Sequence, residues 1–138
     1  MKLDKQDTKI LEVLQDDSRL TSREISELTG IRPSTVHSRI KRLKDKGVIE
    51  KFTVKTNNSM LGKEFIVYLL IAASKEIPNK VFADSRIEEV YGITGEYDLI
   101  IKCRFSGINE FNRFIIDLRK RPEIEKTLTM VGTIAIKE

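Results

Sequence analysis

Residues 21–47 read TSREISELTGIRPSTVHSRIKRLKDKG, and this run leaves the chain few ways to fold. Thr21 and Glu24 stand three apart, the spacing of a capping box in which a hydroxyl and a carboxylate reciprocally satisfy backbone N–H groups at a helix start. A helix is therefore expected from Ser22, with Ile25, Leu28 and Ile31 as its buried stripe. Gly30 falls where positive φ is needed to end that helix and turn the chain sharply. Pro33 suits the first position of a second helix, because that residue needs no N–H partner, and Arg32 precedes it at the capping position.

Val36, Ile40 and Leu43 recur at helical spacing along the second helix and should face a core. That leaves Ser34, Thr35, His37, Ser38, Lys41 and Arg42 toward solvent or a partner. Between positions 32 and 46 there are six Lys or Arg against the single Asp45, although the whole chain carries only +4. Two short helices, a tight glycine turn and a basic second helix form the pattern of a helix-turn-helix that meets DNA in a groove. Ser34, Thr35, His37 and Ser38 lie in the first turns, where side chains reach base edges. Arg32, Arg39, Lys41 and Arg42 suit phosphate or guanine.

A third helix is expected from an Asp4 cap to about Asp16, contributing Ile10, Leu11, Leu14 and Val13 to a small trihelical core. After Gly47, residues Val48, Ile49, Phe52 and Val54 suggest extended chain. Asn57, Asn58, Ser59 and Gly62 then break the pattern, which places a DNA-binding domain at 1–54, a linker at 55–62 and a second domain at 63–138.

The second domain has a different period. FIVYLLIAA at 65–73 is a nearly unbroken apolar run of strand length, as expected of a central strand covered on both faces. Pro78 and Asn79 can open a short helix through Val81 and Phe82. Residues 87–94 and 99–105 read as a hairpin around Gly95, Glu96, Tyr97 and Asp98. Ser106 or Asn109 can cap a helix bearing Ile108, Phe111, Phe114, Ile115 and Leu118, ended by Pro122, and 126–136 returns as the last strand. The order βαββαβ makes an α+β chain whose second half is a ferredoxin-like sandwich.

No stretch approaches the apolar length of a membrane-spanning helix, and positions 1–15 alternate charge with apolarity instead of forming a leader, so a cytoplasmic protein is expected. The single cysteine, Cys103, excludes an internal disulfide and a cysteine zinc cluster, and its alternating neighbours Leu99, Ile101 and Phe105 point to core packing. There is no nucleophile–base pair, metal-ligand cluster or glycine loop for phosphate, so neither an enzyme nor a cofactor is expected.

The chain resembles the Lrp/AsnC, or feast/famine, transcriptional regulators over nearly its whole length. The resemblance rests on LDKQDTKILEVLQDDSR from Leu3, IRPSTVHSRIKRLKDKGVI from Ile31, LG at Leu61, TGEYDLI from Thr94 and TLTM from Thr127. It implies an N-terminal winged helix-turn-helix and a C-terminal effector-sensing sandwich that assembles into dimers and octamers. Paired recognition helices about 34 Å apart would then read a near-palindromic site on double-stranded DNA. Haem-precursor decarboxylases share the two-domain plan but resemble cases with histidines in the C-terminal cavity, whereas the one histidine here is His37.

The loop Gly95, Glu96, Tyr97 and Asp98 offers backbone N–H groups beside carboxylates, which suits the two charged ends of an amino acid, and it equally suits a plain hairpin turn. The resemblance implies effector binding there and at Thr127, Thr129 and Met130 of the last strand. Two departures from the family pattern stand out: the segment 74–86 is short, and Arg32 stands where a capping Ser or Thr is common. The rival reading is an architectural, chromatin-like DNA binder with no small-molecule effector.

Overall fold

The computed structural model describes all 138 residues and divides into two compact units, Met1–Thr56 and Asn57–Glu138. Helices α1 (Lys5–Asp16), α2 (Ser22–Thr29) and α3 (Pro33–Asp45) make up the first. Both expected caps are present. Asp4 accepts from the Gln6 and Asp7 N–H groups while Asp7 accepts from the Asp4 N–H, and Thr21 and Glu24 form the second box. Gly30 takes φ +73° at the α2 C-terminus and Pro33 opens α3, while Arg32 caps it without a side-chain bond. Only glycine adopts that left-handed conformation at no steric cost, so the turn between α2 and α3 depends on Gly30.

Ile10, Leu14, Ile25, Ile31 and Val36 form the trihelical core, with Val13, Leu20, Ile40 and Ile49 packed around it. Each fully buried aliphatic side chain contributes about 1.5–3 kcal/mol relative to exposure. Leu28 departs from expectation and is 65% exposed. The eight-residue α2 meets its neighbours through Ile25, and Leu28 lies on its flank beyond the rim of the small core. After α3, Gly47 turns the chain at φ +73° and the Val48 and Ile49 N–H groups both bond to Leu43 O. Residues 50–57 then run without regular structure.

The second unit contains β1 (Phe65–Ala73), a 3-10 helix (Asn79–Ala83), β2 (Ile87–Gly92), β3 (Leu99–Phe105), α4 (Ile108–Arg119) and β4 (Ile124–Val131). The strands form one antiparallel sheet in the order β2-β3-β1-β4, the ferredoxin-like arrangement with β1 inside. Alternation along the strands sends Val67, Leu69, Ile71, Ile101, Cys103 and Phe105 to one face. There they meet Phe111, Phe114, Ile115 and Leu118 of α4, with Phe105 ring centroids 5.4 and 5.2 Å from those of Phe111 and Phe114. Cys103 is fully buried in this core, and burial pushes its thiol pKa up to about 12.

The other face of β1 is not covered within the chain. Tyr68, Leu128 and Met130 are exposed and Leu70 is half-buried, so an apolar strip lies along β1 and β4. Beside it Arg104 and Lys102 of β3 pair with Glu88, and Lys102 also with Glu89. The apolar run at 65–73 thus belongs to a strand with one buried face and one open face.

Three boundaries differ from the sequence reading. β2 ends at Gly92, because the Ile93 N–H turns to Asp98 O and closes a loop. β4 runs from Ile124 to Val131 and stops short of Ile136: the Gly132 N–H still reaches Ile66 O, but β1 begins at Phe65 and offers almost no further backbone to pair. At α4 the capping residue is Gly107, and Ser106 instead donates through its N–H and Oγ to Glu110; Ile108, expected in the core, is 52% exposed. No helix is long and apolar enough to cross a membrane.

Candidate nucleic-acid interface and effector loop

The outward side of α3 carries the polar set expected there. Ser34, His37, Ser38, Lys41 and Arg42 are exposed, as is Arg32 at the cap; Thr35 is half-buried and receives the Ser38 Oγ bond at its carbonyl, 3.1 Å. Val36 and Leu43 are fully buried beneath them, which fixes the rotation of the helix about its axis.

Arg39 is placed differently from the other cations. Its Nη1 donates to both Asp4 oxygens at 2.7 Å and to Asp7 Oδ1 at 2.9 Å, with its side chain only 20% exposed. Arg42 Nη2 donates to the two Asp7 oxygens at 2.8 and 2.9 Å, but close to half of its side chain remains open to solvent. The fully buried Asp7 therefore ties α3 to α1 while completing the α1 cap. Burial alone would push the Asp7 carboxyl up, but the Asp4 N–H, the Arg39 bond and the Arg42 charge outweigh it and hold it below the ordinary range. The Arg39 bond is also the main reason that Asp4 falls to about 2. Arg39 is thus engaged from within the fold and Arg42 in part, through Nη2, whereas the rest of the Arg42 guanidinium and the Lys41 ammonium remain open to a partner.

The sequence reading passed over Asp4 and Asp7 in this respect, taking Asp4 as a cap and giving Asp7 no role. Acids three apart at the start of α1 and arginines three apart on α3 were the available signal, though the pairing spans more than thirty residues.

In the second unit, Gly95 takes φ +110° at the tip of the loop between β2 and β3. Asp98 is committed to the fold: its N–H bonds to Ile71 O at 2.8 Å and its Oδ2 accepts from the Ala73 N–H at 2.8 Å. Glu96 pairs with Lys126, whose ammonium lies 5.0 Å from the Tyr97 ring centroid. That contact holds the Glu96 carboxyl below its ordinary range. Glu96 and the unanticipated Lys126, both exposed, thus form one cluster with the half-buried Tyr97.

The β4 residues do not all join it. In register, Thr127 and Thr129 stand opposite Ile71 and Leu69 and share the α4 side of the sheet, where Thr127 Oγ1 accepts from Arg119 Nε at 3.0 Å. Met130 stands opposite Tyr68 on the open side. No group of three or more His, Cys, Asp or Glu is placed to hold a metal ion.

Comparison with known proteins assigns both halves. Residues 3–50 match the winged helix-turn-helix DNA-binding family, and residues 73–138 match the Lrp/AsnC ligand binding domain. The HTH-type transcriptional regulator FL11 of Pyrococcus furiosus is 40% identical over 140 residues, covering 99% of this chain and 93% of its own. Among solved structures, a transcriptional regulator of Neisseria meningitidis in complex with L-methionine superposes with a TM-score of 0.92 at 26% identity, covering 99% of this chain and 94% of that one. LrpC of Bacillus subtilis gives 0.85 at 26% identity, covering 99% and 100%. A basic helix on a trihelical core, a ferredoxin-like unit matching the ligand binding domain and similarity along the whole chain agree: the chain belongs to the Lrp/AsnC family of DNA-binding transcriptional regulators, which are not enzymes.

Proposed function

We propose that the protein is a sequence-specific cytoplasmic regulator that binds near-palindromic double-stranded DNA as a two-fold dimer and responds to an amino acid or a related small metabolite. The observation that carries the DNA reading is the sorting of side chains on α3. Ser34, His37 and Ser38 are exposed along the first turns, Lys41 and Arg42 follow, and Arg39 is drawn back onto Asp4 and Asp7. Ser34, Thr35, His37 and Ser38 read base edges, while Arg32, Lys41 and Arg42 hold phosphates. Arg39 acts through α1, setting the pitch of the helix that the others decorate.

The open apolar strip of Tyr68, Leu70, Leu128 and Met130 is the surface through which two copies join, and such a pair sets the spacing between recognition helices. Larger assemblies, up to octamers, are built from these dimers. Effector binding is assigned to the loop Gly95, Glu96, Tyr97 and Asp98 with its neighbour Lys126, and to Thr127, Thr129 and Met130 of β4. The similar Neisseria regulator holding L-methionine supports an amino-acid ligand.

Binding of defined and random duplexes across a salt series tests the DNA assignments. Arg42→Gln should weaken both duplexes alike and reduce the salt slope by about 1. Ser38→Ala should relax preference at one position of each half-site. Equal loss on all sequences for Ser38→Ala would remove its reading role. Calorimetry against the common amino acids tests the effector, and heat with none of them would remove it.

A further inference from the structure

The stripe His37, Lys41 and Lys44 recurs at helical spacing on the flank of α3 that does not face Asp4 and Asp7. Beside it an open groove of about 540 Å³ lies between the end of α1, the start of α2, α3 and the chain that follows α3. Its volume is within the roughly 300–1,000 Å³ typical of small-molecule sites. The walls are Leu14, Leu20, Ile40 and Phe52, and Phe52 is 50% exposed.

Phe52 is not loosely hung. Ser18 Oγ donates to Thr53 O at 3.2 Å and the Lys44 ammonium bonds to Glu50 O, so the segment bearing the ring is pinned to the turn after α1 on one side and to α3 on the other. On the rim stand the Lys41 ammonium and the His37 ring with a single acid, Asp45, and neither Lys41 nor His37 has a side-chain bond within the fold. An aromatic wall held in place beside uncommitted N–H donors suits an organic anion with an apolar body.

We propose that this groove is a second small-molecule site, which takes a carboxylate bearing an aromatic or branched apolar body. The body lies against Ile40 and Phe52 and the carboxylate accepts from Lys41 and His37. Because those two residues belong to the DNA-contacting set, the ligand and DNA exclude one another; that consequence rests on the DNA reading above. The site is separate from the loop at Gly95 and needs nothing from the second unit.

The test uses the full chain and 3-phenylpropionate, followed by ¹H–¹⁵N NMR without DNA and then by competition on DNA. Saturable shifts centred on Ile40, Lys41 and Phe52 are expected, with a dissociation constant of about 1 mM or tighter. The neutral 3-phenylpropanamide should bind at least about fivefold more weakly, since it lacks the charge that Lys41 meets. Phe52→Ser should lose about tenfold in ligand affinity while its DNA affinity without ligand stays within about twofold, because the ring is an exposed wall outside the core. No saturable shift, equal binding of acid and amide, an unaltered Phe52→Ser, or shifts confined to residues 95–98 would each overturn the site. Binding in the groove that leaves DNA affinity untouched would uphold the site and overturn instead the assignment of Lys41 and His37 to DNA.

Discussion

Replacing Asp7 by Asn keeps the shape of the side chain and removes its charge from a position with no exposed surface. Four contacts change. The Asp4 N–H reaches Asp7 Oδ2 at 3.1 Å, Arg39 Nη1 reaches Oδ1 at 2.9 Å, and Arg42 Nη2 reaches both oxygens at 2.8 and 2.9 Å. The asparagine oxygen in the Oδ1 place can still accept from both guanidiniums, but its NH₂ group then stands against Arg42 Nη2 and the Asp4 N–H, and the charge that both arginines meet is gone. A hydrogen bond to a charged group contributes about 1.5–3 kcal/mol, and stripping one partner from a buried pair costs about 3–5 kcal/mol. Arg39 retains Asp4, and Arg42 is half open to water, so the loss should sit near the low end, about 3 kcal/mol.

Urea unfolding followed by far-UV circular dichroism reads this well, because three of the four α-helices belong to the first unit. With a slope of about 1 kcal/mol/M for so small a unit, the midpoint should fall by about 3 M. The pH dependence follows from the direction of the shifts. Asp7 and Asp4 are held below their ordinary values in the fold, so their stabilisation is complete above the unfolded aspartate value of about 3.9 and is lost as pH falls through the folded values. The gap between wild type and Asp7→Asn should therefore be constant at neutral pH and close in acid. A change under about 0.5 kcal/mol at pH 7, or a gap that persists undiminished at pH 2, would refute the clamp.

Two further outcomes are expected. Cys103, buried with its thiol raised to about 12, should resist iodoacetamide in the folded protein and react only after denaturation; prompt labelling of native protein would contradict the packing of β3 against α4. Leu128→Asp, at an exposed position on the open sheet face, should leave the circular dichroism spectrum intact and convert the proposed dimer to monomer in sedimentation; an assembly state equal to that of the wild type would remove this face as the interface.

What the sequence disclosed follows the range of the interactions involved. The Thr21–Glu24 capping box, the Asp4 cap, the left-handed Gly30 and Pro33 at the start of α3 are set by residues within a few positions of one another, and all were legible; the return bond from Asp7 that completes the first box was not read. β1 and β3 were read to the residue because runs of apolar and β-branched side chains marked their ends. The end of β4 was not legible, since it depends on where its neighbour β1 begins. The withdrawal of Arg39 was equally hidden, because its partners lie on another helix. The division of Thr127 and Thr129 from Met130 could have been read from period-two alternation alone, which puts odd-spaced residues on opposite faces.

Selection of binding sites from random duplex DNA by the wild-type protein tests most directly the claim that paired α3 helices read sequence. The expected result is an enriched near-palindrome whose half-sites are centred about one helical turn, or a small multiple of it, apart. Recovery of no enriched motif, or of a single asymmetric element with no two-fold relation, would contradict it.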